Sequence, residues 1–339
     1  MEALLGKTLE EIQELVVQIG MPKFSAKQIA DWLYCKRVST IDDMTNISLK
    51  YRNLLKEKYI VGRYTFTNKQ ESTDGTVKYL FPVDNGKCIE TVYLPEKERA
   101  TLCVSSQVGC KMNCLFCMTG KQGFDGNLSS RDIINQIMSI PDSDKLTNVV
   151  FMGMGEPLDN YSELMKALEI LTAEYGFAWS PKRITVSTIG LVPALKRFIE
   201  ESQVHLAVSV HSPFHDERVS LMPVEKAYPV KDVLDLVRDY DFSHQRRFSL
   251  EYIMFGGLND SLRHAKALAD LIKDIPARVN LIKYHKIPGI DLPSSDMKMM
   301  ENFRDFLNSK GIISTIRRSR GEDILAACGM LSSKNNNAI

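Results

Sequence analysis

The sequence predicts an α/β protein whose larger part is built from parallel βαβ units, and two patterns carry that expectation. From residue 147 onward, apolar runs at 147–152, 183–188, 204–210, 248–254, 278–284 and 312–317 recur with amphipathic helical stretches between them. Strands that alternate with helices imply parallel neighbours, because a parallel pair needs a long crossover connection. Polar and glycine residues also gather just after the runs: Gly153, Gly155 and Glu156 after the first, Ser187 at the next, Ser209 and His211 at the one after. In parallel architectures reactive groups collect beyond the C-terminal ends of the strands. Periodicity alone does not separate a barrel from an open sheet.

Taken in order, residues 1–62 read as a small helical accessory domain. Thr8 and Glu11 match a Thr-x-x-Glu capping box, and Leu9, Ile12, Leu15 and Val16 then make one apolar stripe. A second helix is expected after Ser25, bearing Ile29, Trp32 and Leu33, and a third from Ser48 through Leu54 and Leu55. Residues 63–100 read as a β-hairpin extension: TVKYLFPV and CIETVYLP are strands, and Asp84-Asn85-Gly86 supplies the turn. Glu90, inside the second strand, reads by default as solvent-facing. Residues 101–330 hold the strand–helix repeats. Ser129 and Ser130 are caps for a helix with Ile133, Ile134, Ile137 and Met138; further helices are expected at about 161–174 and at 295–309, the last stopped by Gly311. Residues 331–339 read as a polar, flexible tail.

Composition narrows the class. Lys and Arg number 43 against 42 Asp and Glu, and 44% of residues are hydrophobic, as in an ordinary soluble globular protein. MEALLGKTLEEIQEL carries acids where a signal peptide needs basic residues, and no apolar run reaches membrane-spanning length, so a cytoplasmic protein without membrane contact is expected. Between residues 50 and 69, Lys50, Arg52, Lys56, Lys58, Arg63 and Lys69 are interleaved with Tyr51, Tyr59, Tyr64 and Phe66. Basic groups for phosphates with aromatics for bases suit RNA, whereas the plainer reading is a solvated helix face over core rings.

The seven cysteines are mostly clustered, which points to metal and redox chemistry in a reducing compartment. Cys110, Cys114 and Cys117 form a C-x₃-C-x₂-C array with Phe116 before the third, and Cys103 lies upstream. Three thiolates can hold three corners of a [4Fe–4S] cube and leave the fourth iron open to a substrate. A Cys₄ zinc loop that recruits Cys103 is the alternative, but structural zinc sites tend to use paired C-x₂-C knuckles and no second pair exists. Buried structural cysteines are the plainest reading. The flanking Gly109, Gly120, Lys111, Asn113 and Lys121 do not resemble core, so the cluster is favoured.

The C-x₃-C-x-Phe-C array resembles the cluster motif of the radical SAM superfamily, and CVSSQVGC followed by CMTGKQGF is similar to the RlmN/Cfr family of radical SAM RNA adenine methyltransferases. The likeness recurs in order at GMGEP (153–157), STIG (187–190), SVHSP (209–213), LMP (221–223) and GEDILAACG (321–329). It implies a partial (β/α)6 barrel, a [4Fe–4S] cluster on Cys110, Cys114 and Cys117, and S-adenosylmethionine (SAM) held by Gly155, Glu156, Ser187, Ser209, Val210 and His211. Where the family places an Asn after Asn-Leu-Ile-x-aromatic, this chain has His285, carried over as the corresponding contact. Arg317, Arg318 and Arg320 read as a phosphate-contact run or, more plainly, as a solvated rim. Cys35 and Cys88 have no assigned part.

The resemblance also implies a mechanism. Adenine C2 is electron-poor and cannot attack a methyl sulfonium directly. Instead Cys328 is first methylated by SAM, and a second SAM, cleaved at the reduced cluster, yields a radical that takes hydrogen from that methyl. The thiomethylene radical adds to the ring, Glu90 accepts the ring proton, and Cys103 attacks the Cys328 sulfur to release product as a disulfide forms. Implied partners are 23S rRNA, tRNA with its target adenine 3′ of the anticodon, and a flavodoxin-type electron donor. VSSQVGC and GMGEP-L look more like the RlmN (C2) branch than the Cfr branch, which methylates C8 of the same rRNA adenine and confers antibiotic resistance. From a different class, a zinc-stabilised RNA-binding protein without catalysis is the competing expectation.

Overall fold

Thr8 opens the first helix as its sequence context requires: its hydroxyl accepts from the Glu11 N–H while the Glu11 carboxylate accepts from the Thr8 N–H. The structure is a computed structural model that describes residues 1–83, 86–242 and 248–332. Strand β1 (Glu2–Ala3) precedes α1 (Leu9–Gln18); α2 (Ser25–Ala30) runs into a wide turn over Asp31–Cys35, and α3 (Leu49–Lys58) leads to β2 (Tyr59–Ile60), which pairs with β1. Ile12, Leu15, Val16, Ile29, Leu33 and Leu55 are buried, so these short helices are held by one shared apolar face rather than by their own propensity.

Next come β3 (Asn68–Glu71), β4 (Val77–Val83), β5 (Lys87–Pro95) and β6 (Ala100–Cys103), each antiparallel to its predecessor. β4 and β5 are the expected hairpin; of its turn, Asp84 and Asn85 lie outside the described residues. A small ribbon of β7 (Gln107–Gly109) and β8 (Phe124–Asn127) brackets α4 (Met118–Gln122). The alternating part then runs through α5 (Ser130–Met138), β9 (Asn148–Phe151), α6 (Tyr161–Thr172), β10 (Ile184–Thr188), α7 (Val192–Glu201), β11 (His205–Ser209), α8 (His215–Leu221), α9 (Val230–Arg238), β12 (Phe248–Met254), α10 (Leu262–Ile272), β13 (Ala277–Lys283), α11 (Met297–Ser309) and β14 (Ser314–Ile316). Ser129 caps α5 in a box with Asp132, Asp296 caps α11, and Gly311 leaves α11 with φ of 77°.

The main sheet has the order β14-β13-β12-β11-β10-β9-β6-β5-β4-β3, parallel from β14 to β6 and antiparallel beyond. All six predicted apolar runs are strands of the parallel part. That part also includes β6, which opens the 101–330 stretch but was not among the predicted apolar runs. The sheet curls without closing: residues at the ends of β6 and β13 face one common cavity, yet β14 and β6 are not paired. This is a partial barrel.

Two expectations change on the page of coordinates. The rings of the basic–aromatic stretch are packed: Tyr59 is buried, Tyr64 donates to Asp132, and Phe66 lies 4.8 Å from the Tyr79 ring. Arg63 donates to the Arg37 and Met138 carbonyls, so the plainer, structural reading holds for these residues. Leu331 and Ser332, placed in the tail by the sequence, are buried; residues 333–339 lie outside the described residues.

Arg218 of α8 has no exposed surface and ties the strand ends together. Its Nε donates to the Val210 carbonyl at 2.9 Å, its Nη2 to Ser209 and Ile189 carbonyls at 3.0 and 3.2 Å, and its Nη1 to the buried Glu225 carboxylate. Removing one member of such a pair strands the other charge. Arg218→Met should therefore lower the unfolding free energy by roughly 3–5 kcal/mol in urea titration. A loss below about 1 kcal/mol would show that another group satisfies Glu225.

Candidate active site

The loop between β7 and α4 carries Cys110, Cys114 and Cys117 and is pinned on three sides. Leu115 N–H donates to the Leu221 carbonyl (2.8 Å), Met118 N–H to Gly329 (2.7 Å) and Cys110 N–H to Gly123 (2.9 Å). Gly109 is required here: its φ is 77°, and a Cβ on it would lie 1.9 Å from the Gly123 oxygen. Phe116 meets the His211 ring edge-on at 5.0 Å. All three thiols line a cavity of about 350 Å³. Burial pushes the Cys110 thiol up to about 12 and the Cys114 thiol well above its usual range, each raised further by its neighbouring thiols, with Arg218 pulling Cys114 the other way. Among the described residues no three metal-ligating side chains already converge on one point. Thiols raised in this way can ionise together only around a cationic centre, and the three-cysteine set fits a cluster that takes three cysteine ligands.

The strand ends complete the wall. At Gly153 a Cβ would meet the Val104 oxygen at 2.6 Å, and at Gly155, with φ of 98°, it would meet Gln107 Cβ at 2.5 Å. These glycines admit close approach of the chain to itself. Glu156 is buried, and its oxygens accept from Thr188 Oγ1 (2.6 Å), Leu158 N–H (3.1 Å) and Ile189 N–H (3.1 Å). It thus joins the ends of β9 and β10, and burial lifts its carboxyl to about 7 against those bonds. Each oxygen has two lone pairs, so Oε2 keeps one for a further donor. Ser187 and Ser209 line the cavity, whereas Val210 does not: its side chain is buried, its N–H donates to the Glu251 carbonyl, and its carbonyl accepts from Arg218.

His211 has φ of 58° and accepts from the Ile253 N–H through Nδ1 at 3.0 Å, which places its proton on Nε2. Burial, aided by Arg218, holds it down to about 3, so the ring is neutral. Asn259, unmarked by the sequence reading, braces it by donating to the His211 and Ile253 carbonyls at 2.6 and 2.7 Å. His285 also lines the cavity, its Nε2 2.8 Å from Ser319 Oγ and its Nδ1 3.4 Å from Glu322.

Cys103 and Cys328 are brought onto the same cavity wall, close enough that the charge of Cys328 bears on Cys103: burial and then Cys328 push the Cys103 thiol up. Cys328 is accessible, but from a cavity walled by protein, which is how desolvation still raises its thiol. Its segment is clasped by Arg320 and Gly321 N–H on Asp74, by Ser72 on Asp323, and by Thr119 on the Leu331 carbonyl. Arg320 is thereby structural, while Arg317 and Arg318 remain exposed at the cavity. Glu90 overturns its default reading: it is buried, ion-paired with Lys78 at 3.0 Å, and accepts from the Ser332 N–H at 2.8 Å. It does not line the cavity. Glu251, missed by the sequence reading, does; an acid within FSLEYIM was the same signal as Glu90. A wider, open cleft of about 600 Å³ beside Arg37 and Arg63 contains none of the expected site residues.

Comparison with known proteins agrees with this geometry. Residues 104–272 match the model of the radical SAM superfamily, and residues 3–61 match the ribosomal RNA large subunit methyltransferase N-terminal domain. A probable dual-specificity RNA methyltransferase RlmN of Parabacteroides distasonis is 62% identical, over 98% of this chain and 97% of its own. The dual-specificity RNA methyltransferase RlmN of Desulfotalea psychrophila is 40% identical, over 95% and 92% of the two chains. The crystal structure of a radical SAM methyltransferase from Sphaerobacter thermophilus superposes with a TM-score of 0.92 at 37% identity, covering 98% of this chain and all of that one. The chain belongs to the RlmN family of radical SAM RNA methyltransferases, enzymes that work with a [4Fe–4S] cluster and SAM.

Proposed function

We propose that this chain methylates C2 of an adenine in 23S rRNA and of the adenine 3′ of the anticodon in tRNAs, with Cys328 as methyl carrier and Cys103 as resolving thiol. The observation that carries the reading is the pairing of these two cysteines, distant in sequence, on one cavity wall with the three thiols of the cluster loop. The dual specificity in the names of the relatives supports both RNA classes.

In this reading Cys110, Cys114 and Cys117 hold the cluster, and Gly155, Glu156, Ser187, Ser209, His211 and His285 surround SAM, with Val210 contributing through its backbone. The bound cluster and SAM together supply a carbon radical able to take hydrogen from a methyl group. Cys328 holds the carbon to be transferred and presents it to the ring. Cys103, once deprotonated, attacks the Cys328 sulfur; an S–S bond forms as the carbon–sulfur bond breaks, and two electrons from outside restore the thiols. A flavodoxin-type donor is the proposed source of reducing electrons. Glu90 is assigned the ring proton, and to take it the carboxylate has to turn from its bond with Ser332. Neutral His211 offers Nε2–H as a fixed donor without adding positive charge beside the sulfonium. We place the reaction in the cytoplasm; no helix of the described residues is long and apolar enough to cross a membrane.

Reconstituted protein incubated with 23S rRNA, tRNA, SAM and a reductant should yield 2-methyladenosine in both RNAs by nucleoside mass spectrometry. 8-Methyladenosine would instead place the chain in the C8 branch, and a colourless, zinc-loaded protein without methylation would favour the binding-protein reading. Cys328→Ala should reduce RNA methylation to background while SAM cleavage persists. Cys103→Ala should accumulate RNA attached to the protein through Cys328, seen as a denaturant-resistant gel shift; turnover of that variant at the parent rate would remove the resolving role.

A further inference from the structure

Among the described residues, Glu251 is the buried carboxylate on the cavity wall that has an idle oxygen. It sits mid-strand in β12, in register with Ser209 of β11 and Asn280 of β13, and is 4% exposed. Oε1 accepts from Asn280 Nδ2 at 2.8 Å and lies 3.7 Å from Arg317 Nη2. Oε2 is buried and takes no hydrogen bond. A buried carboxylate oxygen without a donor is an unstable arrangement unless a proton or a ligand donor comes to it.

Cys328, on the same wall, has a proton to give. Its thiol is raised by desolvation and by the Glu251 charge, and lowered by Arg317. Such a thiol is protonated at neutral pH, while the thiolate is the nucleophile. Glu251 is itself raised by burial, which makes it a stronger base than an exposed carboxylate. The charged and titratable groups that bear on the pair are Arg317, which acts on both, Cys117, which acts on Cys328, and Cys103, on which Cys328 acts.

We propose that Glu251 Oε2 accepts the Cys328 thiol proton when that cysteine first takes a methyl group from SAM. This rests on the carrier role of Cys328. The Cys328 sulfur forms a bond to the methyl carbon, and the methyl–sulfonium bond breaks with its electron pair left on the SAM sulfur. The thiol proton passes to Glu251. The products are S-methylcysteine, S-adenosylhomocysteine and a neutral carboxyl, and no oxidant or reductant is consumed. Arg317 steadies the carboxylate before transfer and the developing thiolate during it. Glu251 and Glu90 then have separate tasks, one at the loading of Cys328 and the other at the RNA base.

The test uses holoenzyme reconstituted from apoprotein whose Cys328 peptide starts unmethylated, incubated with SAM and no reductant. Methyl gain on that peptide is followed by mass spectrometry, beside equilibrium SAM binding and iodoacetamide labelling of Cys328 in the apoprotein. Glu251→Gln, nearly isosteric, should slow methyl gain at pH 7 by about 10²-fold or more. The lost rate should return about tenfold per pH unit as hydroxide replaces the base. Iodoacetamide labelling of Cys328 at alkaline pH, where hydroxide forms the thiolate, should persist and report an accessible thiol. Loss of labelling together with methyl gain would mean a merely structural effect and would overturn the proposal. Glu251→Asp should recover part of the rate; equal rates for the Asp and Gln variants count against it. Methyl gain at the parent rate, or a loss explained wholly by weaker SAM binding, also removes it. If Cys328 of the parent enzyme never gains a methyl group, the carrier reading itself falls, and Glu251 with it.

Discussion

The chemistry of this fold depends on holding a segment from the far end of the chain against the cluster loop and the first barrel strand. The hold is polar and distributed. Asp74 takes the Arg320 guanidinium and the Gly321 N–H, Ser72 donates to Asp323, and Gly329 receives the Met118 N–H. Glu90 and Thr119 fix the residues that follow. The antiparallel strands β3 to β5 therefore do more than extend the sheet. They supply Asp74 and Glu90, whose carboxylates reach a segment that no strand pairing would otherwise retain. A charge-assisted bond at each end keeps Cys328 facing inward, where a single apolar contact would let it swing.

The cavity so formed is lined by several groups whose charged forms are disfavoured. His211 is held neutral, Glu156 is lifted towards neutrality, and the cysteine thiols are pushed up. Such a site strengthens any electrostatic interaction made inside it. Arg218 sets the frame of this pocket, since one guanidinium bonds carbonyls at the ends of β10 and β11 and is balanced by Glu225.

Much of this was legible in the sequence where local rules govern. The capping boxes at Thr8 and Ser129, the stop at Gly311 and the six apolar strands follow from periodicity and cap chemistry, and the structure contains them. The cysteine array and strand-end motifs marked the cavity before any coordinates. What escaped is set by tertiary partners. Glu90 was read as wet because its strand has no polar alternation to reveal a buried Lys78 opposite. Arg320 looked like a rim charge because Asp74 is remote in sequence. β6 was missing from the predicted runs because a strand that begins a barrel has no helix before it to mark the alternation. Asn259 carries no local signal that separates it from ordinary loop residues, and Glu251 carries only the signal it shares with Glu90, an acid within an apolar strand.

The central claim is that Cys103 and Cys328 face one another, and it is tested most directly by mild oxidation of the apoprotein followed by non-reducing peptide mapping. The account predicts one dominant linkage, between the Cys103 and Cys328 peptides, formed ahead of any involving Cys35 or Cys88. A Cys328 that stays unlinked under those conditions, or joins another cysteine instead, would contradict it.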